Sequence, residues 1–134
     1  MSAPQFHELK PALSTKALDA INSFGFKQAT PVQSTTIPLF MSHKDVRVEA
    51  ITGSGKTLAF GIPIFEILNR RDDQLKKNEV GSMVIAPTRE LATQIYGVFT
   101  QIARFYTNLK CALFIGGTDV KDNCDIFEKS GAQV

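Results

Sequence analysis

The residues with most to say about chemistry run from Ala50 to Thr57: Ala50-Ile51-Thr52-Gly53-Ser54-Gly55-Lys56-Thr57. Glycines at 53 and 55 let a backbone turn tightly and bring its N–H groups close to a bound oxyanion. A helix opening near Lys56 would add unpaired N–H groups and the positive end of its dipole. Lys56 then has the reach for the outer phosphates of a nucleotide, and the Thr57 hydroxyl suits Mg²⁺. A plain glycine turn with a solvated lysine would use the same letters, so the flanks decide. Upstream, Val46-Arg47-Val48-Glu49-Ala50-Ile51 alternates apolar and charged residues as a strand does. Downstream, Leu58-Ala59-Phe60-Gly61-Ile62 starts a buried helix. Strand, glycine loop, Lys-Thr and helix together specify a phosphate-binding loop.

The elements that must position this loop can be read in order. Residues 1–12, with Pro4 and Pro11, read as irregular. Ser14 is placed to cap a short helix with Ala17, Leu18 and Ile21 on one face, which Gly25 ends. Thr30, Pro31 and Gln33 form a capping box that opens a second helix, with Ile37, Leu39, Phe40 and Met41 as its buried side and Pro38 as a kink. The helix from about Lys56 to Asn69 carries Pro63, and the mixed charges of 70–79 read as a solvated linker. Val80–Ala86 predicts a second buried strand, stopped by Pro87. Thr88 caps a long helix with Leu91, Ile95, Val98, Ile102 and Phe105 at helical spacing. Cys111–Ile115 predicts a third strand, Gly116-Gly117 a turn, and Val120, Cys124 and Phe127 one side of a last helix ended by Gly131. Alternating strands and helices predict an α/β fold, a parallel sheet with helices on both faces. In such sheets ligands bind at the carboxyl ends of the strands, where Thr52–Thr57, Pro87–Glu90 and Gly116-Gly117 all fall.

Composition narrows the class. The chain has 134 residues, 43% hydrophobic and 21% charged, with a net charge of +2, which suits one globular domain and neither demands nor excludes a nucleic-acid partner. Cys111 and Cys124 lack zinc-ligand spacing, and two lone cysteines suit a reducing compartment. The N-terminus has no apolar signal core and no run approaches a membrane span, so a nuclear or cytosolic location is expected.

With these motifs in place, the sequence resembles the amino-terminal part of the first RecA-like domain of a DEAD-box ATP-dependent RNA helicase. Gly25-Phe26-Lys27-Gln28-Ala29-Thr30-Pro31-Val32-Gln33 is similar to the family's Q motif, and Ala50–Thr57 to its motif I, where alanine at the first position is usual. Pro87-Thr88-Arg89-Glu90-Leu91-Ala92 is similar to motif Ia, and Gly116-Gly117 to the paired-glycine motif. The resemblance implies a P-loop RecA-like sheet truncated after about three strands, with residues 13–134 as a partial ATP-binding domain and the second helicase domain absent.

The resemblance also implies roles. ATP with Mg²⁺ would be held by Phe26, Gln33, Ala50, Ile51, Thr52, Gly53, Ser54, Gly55, Lys56 and Thr57. In that set Gln33 reads the adenine edge, Phe26 packs against the base, Lys56 and Thr57 serve catalysis, and Thr57 ligates the metal. RNA would be met by Pro87, Thr88, Arg89, Gly116 and Gly117. Without the resemblance, Gln33 also reads as a cap, Arg89 as a surface ion pair and the paired glycines as a plain turn. Residues 31–68 resemble the branch acting in large ribosomal subunit assembly, which implies preribosomal RNA as partner and a nucleolar location. The family's Asp-Glu-Ala-Asp and Ser-Ala-Thr motifs do not occur in these residues, so this stretch should not catalyse unaided. A non-catalytic module that grips nucleotide or a partner is the alternative. Another P-loop class, such as a small-molecule kinase, leaves Gln33 and Pro87–Leu91 unexplained.

Overall fold

The helix that follows the glycine loop is apolar on nearly every side, and a helix of that kind must be buried. The computed structural model describes residues 3–134. Its α-helices are α1 (Thr15–Ser23), α2 (Pro31–Met41), α3 (Lys56–Asn69), α4 (Arg89–Ala103) and α5 (Val120–Ser130), preceded by a 3₁₀ turn at Phe6–Glu8. They fall into two units divided between Arg70 and Arg71.

In the first unit α3 buries Leu58, Ala59, Ile62, Pro63, Ile64, Phe65, Glu66 and Leu68, with α2 and α1 packed against it. Helix α1 opens where expected, with Ser14 Oγ accepting from Ala17 N at 3.2 Å. It ends where expected too, with Gly25 at φ +81°. The capping box of α2 is also present, with Thr30 and Gln33 each accepting the other's backbone N–H. Its buried side differs from the expected one. Gln33, Thr36, Ile37 and Met41 face inward, whereas Leu39 is 44% exposed. Two positions along a helix turn a side chain about 200° about the axis, so Leu39 cannot share a face with Ile37.

The segment expected to be irregular is tied down instead; Met1 and Ser2 lie outside the described residues. Phe6 and Leu9 are buried, Gln5 pairs with Gln28 in an antiparallel bridge, and Ala29 N donates to Pro4 O at 2.9 Å. Glu66, fully buried in α3, accepts from Ser14 N at 2.9 Å, Ser14 Oγ at 2.5 Å and Arg70 at 2.8 Å. Arg70 also donates to Ala12 O at 2.6 Å. A buried carboxylate is costly unless its oxygens are hydrogen-bonded, and these contacts fasten the cap of α1 to the last turn of α3.

In the second unit, α4 buries Phe99 and Ile102, joined by Tyr106 and Leu109 just beyond it. Gln133 staples the unit internally. Its Oε1 accepts from Lys110 N at 2.9 Å, and its Nε2 donates to Lys76 O at 3.0 Å and Lys77 O at 3.1 Å. Helix α5 buries none of its residues; Val120 is 74% exposed and Cys124 is exposed.

The expected strands are extended segments without a ladder: among the described residues no strand forms beyond the Gln5–Gln28 bridge. A strand is completed by a neighbour's hydrogen bonds, and alternation in one segment supplies only half of the pair. Residues 45–50 make no backbone hydrogen bond to another segment among the described residues. In 80–86, expected to be buried, Met83 is 75% and Ile85 87% exposed. Pairing does begin beside Cys111. Val134 N donates to Lys110 O at 3.1 Å and Ala112 N donates to Val134 O at 3.0 Å, the slanted two-bond pattern of parallel strands.

Candidate functional site

The glycine loop and the capping box of α2 meet in the first unit. Gly55 is the N-cap of α3 in the left-handed region, at φ +85°. A side chain there would be strained, and its Cβ would also collide with the Gln33 amide nitrogen. The glycine is therefore required twice, by its own backbone and by its neighbour. Gln33 is 1% exposed. Its Oε1 accepts from Thr30 N at 2.9 Å, and its Nε2 donates to Gly55 O at 3.2 Å. Thr30 Oγ1 donates to Ser54 O at 2.8 Å. Two side chains of the capping box thus hold two consecutive carbonyls of the loop.

That arrangement leaves the other side of the loop open. Thr52 and Gly53 are exposed, and a Cβ at Gly53 would meet nothing within 4 Å. Ser54 Oγ is buried with no hydrogen-bond partner, and an orphaned hydroxyl is a donor in want of an acceptor. The Lys56 ammonium folds back to donate to Ala50 O, across the mouth of the loop. With the first N–H groups of α3 beside them, these groups can receive an anion. Thr57 and Lys56, the first two residues of α3, are both half-buried. Ile51 is 83% exposed, so the loop's entry is not buried with its exit. Phe26 is 46% exposed and stacks on Phe24.

The second unit brings together motifs that lie far apart in sequence. Thr88 caps α4, its Oγ1 accepting from Leu91 N at 3.1 Å. Arg89, the first residue of that helix, lies over the paired glycines. A Cβ at Gly117, where φ is +88°, would stand 3.0–3.3 Å from the guanidinium, and one at Gly116 would stand 3.7 Å away. Pro87, Thr88, Arg89, Gly116 and Gly117 are all exposed. They form a small surface with a guanidinium fork and a helix N-terminus, groups suited to phosphate oxygens. No group of three His, Cys, Asp or Glu that could hold a metal occurs among the described residues. No helix among them is long and apolar enough to cross a membrane.

Four motifs in sequence order, with this geometry around them, can be compared with known proteins. The family model described as DEAD/DEAH box helicase matches residues 30–134. The chain belongs to the DEAD/DEAH box helicase family. A chicken (Gallus gallus) protein named ATP-dependent RNA helicase DDX55 is 51% identical over 126 residues, covering 94% of this chain and 21% of its own length. An Aspergillus niger protein named ATP-dependent rRNA helicase spb4 is 56% identical over 105 residues, covering 78% of this chain and 16% of its own. The chain thus spans about a fifth of the length of such helicases. The crystal structure of a DEAD box protein from Methanococcus jannaschii superposes with a TM-score of 0.81 at 32% identity, over 96% of this chain and 33% of that one. The architecture of the chain is therefore that of DEAD-box helicase domains.

Sequence reasoning missed three residues of this framework. Glu66 carried a signal, a lone charge inside the apolar run Ile62-Pro63-Ile64-Phe65-Glu66-Ile67-Leu68. Phe24 had one as well, an aromatic two positions before Phe26. Gln133, next to the chain's last residue, had none.

Proposed function

We propose that the chain is the nucleotide-binding front of an ATP-dependent RNA helicase, with the ATP site in the first unit and RNA contacts in the second. The observation that carries the reading is the Gln33 amide. The residue assigned to the adenine edge is bonded to the loop assigned to the phosphates, so base and phosphates would be gripped by one connected piece. Capping and base reading need not compete. Each end of the amide spends one hydrogen bond inside the protein, while the nitrogen has a second hydrogen and the oxygen a second lone pair.

The orphaned Ser54 hydroxyl, the open face at Gly53 and the helix start at Lys56 fit a nucleoside triphosphate. Ala50–Gly55 would wrap the phosphates with backbone N–H groups. Lys56 would exchange the Ala50 carbonyl for phosphate oxygens, Thr57 would hold Mg²⁺, and Phe26 would pack on the base. Bound ATP supplies the phosphoryl bond whose cleavage drives work on RNA. Arg89, Thr88, Pro87, Gly116 and Gly117 would grip the RNA backbone, which positions a strand without reading its sequence. Turnover would also draw on the carboxylate motif and second domain of the family.

The finer architecture belongs to the same proposal: a RecA-like parallel sheet, supported by the pairing around Cys111 and by the exposed apolar residues of 80–86. The relative named an rRNA helicase favours preribosomal RNA as substrate and the nucleolus as location. The test is ATP hydrolysis in the protein extended through both helicase domains. Lys56→Ala should abolish it, because a charge-assisted phosphate contact is worth about 1.5–3 kcal/mol in affinity and more where charge develops. Hydrolysis at the unmodified rate by Lys56→Ala would remove the assignment.

A further inference from the structure

The ring assigned to the base does not stand alone. Phe24 and Phe26 are stacked, with centroids 6.4 Å apart and planes 15° from parallel. Gly25 lies between them at φ +81°, and that left-handed turn brings side chains two residues apart onto one side. The two rings differ in how they are held. Phe24 closes α1, its N–H donating to Ile21 O at 3.1 Å, and the residue is itself half-buried. Phe26 has a fixed backbone, since Gln28 and Ala29 just beyond it are bonded to the N-terminal segment, but its ring is 46% exposed. An exposed phenylalanine on a fixed backbone still rotates about two side-chain bonds. A ring stacked against one face restricts that rotation and leaves the opposite face for a flat partner.

We propose that Phe24 is a positioning residue for the nucleotide base: it backs Phe26, and the two rings form a single platform on which the purine lies. The inference rests on the assignment of Phe26 to the base. It adds a residue that makes no contact with the base itself and acts only through its neighbour. A purine suits the free face because it is planar and polarisable, and offset stacking of flat rings at such distances is favourable. The platform is also tied to the phosphate side. Helix α1 carries Phe24 at one end, and at the other Ser14 is bonded to Glu66 of α3, the helix that begins at Lys56.

The experiment compares a ligand that has a base with one that has none. In the full-length protein, ATP and inorganic tripolyphosphate are each made to displace a fluorescent ATP analogue, and the melting of every variant is recorded. Phe24→Leu keeps apolar bulk but loses the ring. It should weaken ATP by about 2- to 10-fold and leave tripolyphosphate unchanged, while Phe24→Tyr retains the original affinity. Phe26→Leu should weaken ATP at least as much, and the double variant should be no worse than Phe26→Leu alone. If Phe26→Leu lowers the ratio of ATP to tripolyphosphate affinity and Phe24→Leu does not, the base assignment stands and the platform is wrong. If Phe26→Leu also leaves the ratio unmoved, the base assignment fails and takes the platform with it. Equal losses for both ligands in Phe24→Leu would mark a general folding defect and overturn the positioning role.

Discussion

Replacing Gln33 tests the junction of the two nucleotide motifs directly. Gln33→Ala removes the acceptor for Thr30 N and the donor to Gly55 O, both in a side chain that is 1% exposed. Each bond is worth about 0.5–1.5 kcal/mol, and a buried partner left unpaired adds to the loss, so about 2–4 kcal/mol of stability should disappear. The cap component lies within that total, since losing a helix cap costs about 1 kcal/mol. Gln33→Glu separates the two ends. One carboxylate oxygen still accepts from Thr30 N, so α2 keeps its cap, but the other oxygen now faces the Gly55 carbonyl, where two acceptors repel. It also sets a negative charge beside the loop proposed for phosphates. Denaturant unfolding should therefore rank the wild type above both variants, and nucleotide titration should show that Glu restores no ATP affinity. Preference for ATP over GTP should erode in Gln33→Ala, because guanine reverses the donor and acceptor that its edge offers a fixed amide. A Gln33→Glu protein as stable as the wild type and binding ATP as tightly would refute this role for the Gln33 amide.

Two further predictions follow from buried groups. Glu66→Ala strips Ser14 of both its side-chain and backbone acceptor and should cost about 1.5–3 kcal/mol in urea unfolding; Arg70 adds little because its side chain is 43% exposed. Burial pushes the Cys111 thiol up to about 11, whereas Cys124 is exposed, so iodoacetamide at pH 8 should label Cys124 first and Cys111 only when denaturant is added. The same shift has a sign in stability: from the usual thiol range up to about 11 the folded state keeps a proton that the unfolded state gives up, so Cys111 makes the fold less stable as pH rises through that window.

Much of this was legible in the sequence, and the pattern of what was not is physical. Caps are local, decided by residues three or four apart, and Ser14, Thr30 and Thr88 all cap where their spacing said. Helix α3 runs from Lys56 to Asn69 as its apolar run required. Strand pairing is not local, so alternation in 46–51 and the apolar run of 80–86 could announce an extended backbone but not its partner. The inward face of α2 was misjudged because consecutive apolar residues, Leu39-Phe40-Met41, point in different directions on a helix. The packing of Glu66 against Ser14 joins residues 52 positions apart, a distance that no reading of periodicity spans.

The two glycine signals show how far residue type can carry a functional argument. At Gly55 and at Gly117 the sequence says that something must come close to the backbone, and in both places something does. The approaching group is part of the protein: the Gln33 amide at Gly55 and the Arg89 guanidinium at Gly117. Each of those side chains is itself assigned to a ligand, Gln33 to the base and Arg89 to RNA phosphate. Under the proposed assignments, the missing Cβ would serve the ligand at one remove, by letting each of these side chains rest against the neighbouring loop. A larger residue at either position would displace the Gln33 amide or the Arg89 guanidinium from its place against the backbone. The glycines of the two sites are thus better understood as part of how Gln33 and Arg89 are aimed than as bare openings for a ligand.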